Sequence, residues 1–159
     1  MHSSISYRAI VPSLTLSLLV AACVPSAPAS SIDQNVLDPA VLNNLKVQAE
    51  QADPREQCFL YVQVVYRMTE MAGHQMEQGD SERAAATLAE VTEYADQVHA
   101  RLGDNTKKLK DSEKLMHRAT HRLSDFVQHA SAEDRPLLEN TLKHLNKVQS
   151  ELLTAVFKH

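Results

Sequence analysis

The chain has 159 residues, 16 Lys and Arg against 20 Asp and Glu, and a formal net charge of -4 with neutral histidines. That acidic balance argues against nucleic-acid binding, which needs a strongly basic surface to neutralise phosphates. Three glycines in all, and no proline between Arg55 and Arg135, argue against a turn-rich sheet protein and leave little backbone freedom for phosphate loops or dinucleotide fingerprints.

The first element is an apolar run, AIVPSLTLSLLV from Ala9 to Val20, preceded by a short segment whose fixed side-chain charge is Arg8. Its length is that of a signal-peptide core. It is too short for a transmembrane helix, and Pro12 and Ser13 interrupt it. Val20-Ala21-Ala22-Cys23 follows, then a stretch carrying Pro25 and Pro28 among small residues. This segment resembles a bacterial lipoprotein signal peptide, whose lipobox is Leu or Val, a small residue, Gly or Ala, and the lipidated Cys. The resemblance covers residues 1–23 and implies that Cys23 becomes the first mature residue, carries fatty acyl chains, and anchors the protein to a membrane of the cell envelope, on the periplasmic or outer side. A second cleavage reading, after Ala29 in Ala27-Pro28-Ala29, makes the chain secreted or soluble in the periplasm. The expected organisation is a signal peptide over 1–22, a flexible tether over 23–37, and a helical domain over 38–159.

Asp38-Pro39 and Asp53-Pro54 each place a side-chain acceptor before a proline at the first helical position, the signature of a helix start. The first helix is short, to about Ala52. The second runs to Gly79 with a wide apolar face that includes Phe59, Val62, Val65, Thr69, Ala72 and Met76. The third starts at Asp80 or Ser81, carries Ala84, Leu88, Val91, Ala95, Val98 and Leu102 at alternating spacings of three and four, and stops at Gly103. The fourth is expected over Thr106 to Ala130, with Ser112 a polar residue at a core position. The fifth begins near Asp134-Arg135-Pro136 and carries Leu138, Leu142, Leu145, Val148, Leu152 and Val156. Loops of two to four residues between the last four helices predict antiparallel neighbours. The fold class expected is all-α, an antiparallel bundle of four long helices plus a short N-terminal helix. The alternative is a repeat-like α-hairpin array, because residues 71–91 resemble one turn of a tetratricopeptide repeat, with Leu88 and Val91 departing from that pattern.

Chemistry-bearing residues are sparse. His117 and His121 stand four apart, so one helix face carries two imidazoles that could grip a transition metal ion, and His74 sits among Met68, Met71 and Met76. Between the paired histidines stand Arg118, Ala119 and Thr120 rather than a catalytic acid, and a complete metal site needs further ligands such as His144, Asp125 or Cys58. Cys58 is the only thiol beyond Cys23 and is expected to be a buried apolar residue; an intermolecular link and a reactive thiol are the alternatives. Residues 33–104 hold 13 acids and 5 bases, whereas residues 105–159 hold 7 acids and 10 bases, so the basic field is concentrated in the C-terminal third. Its densest part is Lys107, Lys108, Lys110 and Lys114. The functional expectation is a non-enzymatic envelope lipoprotein or secreted helical domain. It has no cofactor, a membrane contact through lipid and a protein partner, and acts as an adaptor, scaffold or assembly component. Partner contact is expected at those four lysines and at Tyr61 and Tyr66, Tyr61 lying off the main apolar stripe and expected to be exposed. The alternative is a metal-binding bundle using His74, His117 and His121 with a transition metal ion.

Overall fold

A computed structural model describes residues 37–103 and 106–158; the expected signal peptide, Cys23 and all of the expected tether but Leu37 lie outside the described residues. The fold is all-α. Five helices follow one another: α1 (Pro39–Gln51), α2 (Pro54–Glu77), α3 (Ser81–Ala100), α4 (Leu109–His129) and α5 (Arg135–Lys158). Among the described residues there are no strands.

The helix starts read from sequence are physical caps. Asp38 accepts the Ala40 N–H at 2.8 Å, Asp53 the Arg55 N–H at 2.9 Å, and Asp80 the Arg83 N–H at 3.2 Å. Each bond satisfies an amide that has no partner in the first helical turn. At the end of α2, Gly79 adopts φ +78, and the Asp80 and Gly79 amides donate back to the Gln75 and Met76 carbonyls. That left-handed cap needs a residue without a Cβ penalty, and it reverses the chain within three residues.

α4 starts later than the expected Thr106. α3 ends at Ala100 and α4 begins at Leu109, a longer separation than the two to four residues expected, and Thr106 accepts the Gly103 N–H at 2.9 Å. The Lys107 N–H donates to the Arg55 carbonyl at 2.8 Å, and Lys108 takes φ 57 with no side-chain cap on α4. The reason is topological. α2 packs against α3 and α4, and α5 packs against α3 and α4, while α3 and α4 occupy opposite corners and do not touch. The connection must therefore cross the end of the bundle, and it is held there by α2.

Consecutive long helices alternate in direction, as the antiparallel reading requires. Two hairpins, α2–α3 and α4–α5, then stack so that α2 lies parallel to α4 and α3 parallel to α5. Lys107–Glu56 near one end and Arg122–Glu70 near the other mark the first pair; Ser81–Asp134, Asp96–His144 and His99–Glu151 mark the second. All four sides of the square are closed, a bundle rather than an open array. α1 buries Leu42, Leu45 and Ala49 against α2, and its Lys46 reaches across to Glu90 of α3 at 2.6 Å.

The core contains Val62, Val65 and Met68 of α2, Leu88 and Val91 of α3, Met116 and Leu123 of α4, and Leu138, Leu145 and Leu152 of α5, all essentially without solvent contact. Each contributes about 1.5–3 kcal/mol by leaving water. These are the periodic positions of the sequence. Ser112 falls among them, fully buried, and its Oγ is the one buried side-chain polar atom among the described residues with no hydrogen bond.

Candidate functional site: the cationic face of α4

α4 presents four cationic side chains at steps of four residues: Lys110, Lys114, Arg118 and Arg122. All four are exposed, because the core stripe Leu109, Ser112, Met116, Ala119 and Leu123 turns the opposite side of the helix inward. Among the described residues, Lys110, Lys114 and Arg118 have no ion-pair partner, and neither Asp111 nor Glu113 reaches them. Arg122 is different. Its Nε and Nη2 meet Glu70 of α2 at 2.9 and 3.1 Å, and its guanidinium lies 5.0 Å from the Phe126 ring centre. The Glu70 hydrogen bonds raise the Arg122 pKa above its ordinary value, so its charge is permanent.

The other two lysines of the expected patch serve the fold. Lys107 Nζ pairs with Glu56 at 3.1 Å, and Lys108 Nζ sits 4.7 Å from the Phe59 ring centre. Both contacts fasten the start of α4 to the start of α2. Lys107 and Lys108 are thus exposed but engaged within the chain, and Arg118 carries the row of cations further along α4. The signal for Arg118 was the four-residue spacing, which continues past the dense lysine cluster.

Tyr66 and Tyr61 part ways. Tyr66 is half-buried and forms one wall of a recess of about 420 Å³ whose other lining residues are His117, Arg118, His121 and Arg122. Tyr61 is 4 % exposed, against the expectation that it would face solvent. It lies on the side of α2 that meets α3: its ring stands 6.0 Å from Tyr94, and the Arg101 guanidinium lies 5.8 Å from its ring centre. The helical wheel of α2 alone could not show this, because α2 is covered by three helices.

The histidines do not converge. His74 near the end of α2 bonds the Gln78 amide at 2.9 Å, His117 bonds the Gln149 amide at 3.0 Å, and His121 faces Asp125 at 3.3 Å. His144 is engaged by Asp96 at 2.9 Å. Cys58 and His74 are sixteen positions apart on one helix, about 24 Å at 1.5 Å per residue, so they cannot share an ion. Met68 is core, 1 % exposed. Among the described residues no three His, Cys, Asp or Glu side chains gather as a ligand set.

Cys58 is wholly buried, and burial pushes its thiol up from 9.0 to about 11, with the nearby Ser112 hydroxyl opposing the shift only weakly. A thiol so placed is neutral and unreactive. Large apolar side chains exposed among the described residues are Val47 of α1 and the pair Leu153 and Phe157, one turn apart on α5, too few to form an extended apolar face. The surface with a defined chemical character is therefore the cationic one. Comparison of the chain with family models, curated proteins and solved structures returns no match.

Proposed function

We propose that this protein is a lipid-tethered helical contact module of the cell envelope, held through Cys23 and meeting an acidic protein partner through the exposed face of α4. The observation that carries the contact reading is the row Lys110, Lys114 and Arg118, three exposed cations left without partners among the described residues. Exposed charges gain about 0.2–1 kcal/mol from local ion pairs, which Lys46, Arg83 and Lys107 take, whereas Lys143, Lys147 and Lys158 of α5, like the α4 row, take none among the described residues. A run of unpaired cations on one face retains its attraction for a complementary surface and speeds encounter with it. The tether is supported by Val20-Ala21-Ala22-Cys23 and the proline-containing segment behind it.

Two experiments separate the halves of this reading. Crosslinking in envelope extracts is expected to trap a defined acidic protein with the natural chain and to lose it in a Lys110→Glu/Lys114→Glu variant. Retained crosslinks in that variant would remove α4 as the contact face. Cys23→Ser is expected to move the chain from the membrane to the soluble fraction; unchanged fractionation would remove the lipid anchor.

A further inference from the structure

The cationic row ends at a concave site with a chemistry of its own. The recess between Tyr66 of α2 and His117, Arg118, His121 and Arg122 of α4 has no acidic lining residue. Its donors are oriented from behind. The Gln149 side chain meets His117 Nδ1 at 3.0 Å and Thr120 Oγ1 at 2.9 Å, which holds the His117 ring from the α5 side. Glu70 occupies Nε and one N–H of Nη2 of Arg122, and Nη1 faces Asp125 at 4.0 Å. Arg118 is unengaged among the described residues.

Charge balance selects the ligand. Glu70 pairs with Arg122, and Asp125 stands 3.3 Å from His121 and 4.0 Å from Arg122 Nη1, so among the lining residues Arg118 is the cation with no ion-pair partner among the described residues. A monoanion matches it; a phosphate dianion would leave a negative charge facing Glu70 and Asp125. The fork of Arg118 suits the two oxygens of a carboxylate, and the Tyr66 ring and arginine stems suit a short aliphatic stalk. A recess also admits a protruding side chain in a way that a planar headgroup surface does not exploit. From these observations we infer that the recess is a carboxylate pocket that receives one Asp or Glu side chain of the acidic partner segment meeting α4. This rests on α4 being the contact face, and it names the chemistry that face recognises.

The test is an NMR titration of the full chain with two capped tripeptides, acetyl-Ala-Glu-Ala-amide and acetyl-Ala-Gln-Ala-amide. The Glu peptide is expected to bind at millimolar concentration and shift resonances of Tyr66, His117, Arg118 and His121; the Gln peptide is expected to leave them in place. Arg118→Ala is expected to weaken the Glu peptide about tenfold or more, with Arg118→Lys recovering part of the loss because it keeps the charge without the fork. Equal response to both peptides, or an unchanged affinity in Arg118→Ala, overturns the inference. Inorganic phosphate and vesicles of phosphatidylglycerol in phosphatidylcholine form the comparison arms, and either one producing the shifts in place of the Glu peptide overturns the carboxylate assignment. Lys110→Glu/Lys114→Glu is expected to keep tripeptide binding while losing the crosslinked partner. Failure of the contact face and failure of the pocket are therefore read separately.

Discussion

Gly73 offers the sharpest test of the packing between the two hairpins. It lies inside α2, where glycine costs a helix about 1 kcal/mol relative to alanine. Here the absence of a Cβ has a use: a Cβ at position 73 would stand 2.0, 2.3 and 2.6 Å from ring carbons Cζ, Cε2 and Cε1 of Phe126 on α4. The tip of the ring fills the space a Cβ would take, and the Arg122 guanidinium lies 5.0 Å from the ring centre. Gly73→Ala must displace the ring. Overpacking of this kind costs about 1–3 kcal/mol, and loss of the cation–π contact adds about 0.5–1 kcal/mol. Set against the helix gain, the variant is expected to be less stable by about 1–2 kcal/mol. In a Phe126→Ala background the obstruction is gone, and Gly73→Ala should then stabilise by about 1 kcal/mol. The sign of the substitution thus reverses, with a coupling of about 2–3 kcal/mol. Urea unfolding followed by circular dichroism at constant slope measures all four corners of the cycle. Stabilisation by Gly73→Ala in both backgrounds would refute the close approach of α4 to α2.

Two further expectations concern the buried pair at the α2–α4 seam. Ser112→Ala removes a buried hydroxyl that has no hydrogen bond and adds a better helix former, so a gain of about 1–2 kcal/mol is expected in the urea midpoint; a loss would show that the Cys58–Ser112 contact is a genuine hydrogen bond. Cys58 should titrate only when the fold opens. Its thiol pKa is raised from 9.0 to about 11, so the fold favours the protonated form: the contribution is full below pH 9 and declines as pH rises towards about 11. That change amounts to about 2–3 kcal/mol, seen as a steeper loss of stability over this window in the natural chain than in Cys58→Ala. Parallel pH profiles for the two chains would contradict it.

Much of the fold was legible in the sequence, because helix signals are local. Asp38, Asp53 and Asp80 cap their helices through bonds to amides two or three residues on, and Gly79 ends α2 through its own φ; none of these depends on a distant partner. The core stripes followed for the same reason, since a period of 3.6 places Leu138, Leu145 and Leu152 on one side of α5 whatever it packs against. Ser112 was recognisable as a polar residue in such a stripe. The late start of α4 was not, because Lys107 ahead of it is held by Arg55 and Glu56, more than fifty residues earlier.

The site divides along the same line. The sequence by itself determined that residues 110, 114, 118 and 122 share a helix face, that His117 and His121 are neighbours on one turn, and that a lipobox-like segment precedes the helical domain. Only the tertiary structure decided which of those charges are free. Glu56 and Phe59 engage Lys107 and Lys108, Glu70 takes Arg122, and Arg118 is left beside Tyr66. It also decided that Tyr61 lies under Tyr94 and Arg101, and that among the described residues no three His, Cys, Asp or Glu side chains gather as a ligand set. Periodicity reports the side of a helix on which a residue lies. It carries no information on which other helix covers that side, because the stacking of the two hairpins is set by contacts between residues far apart in the chain.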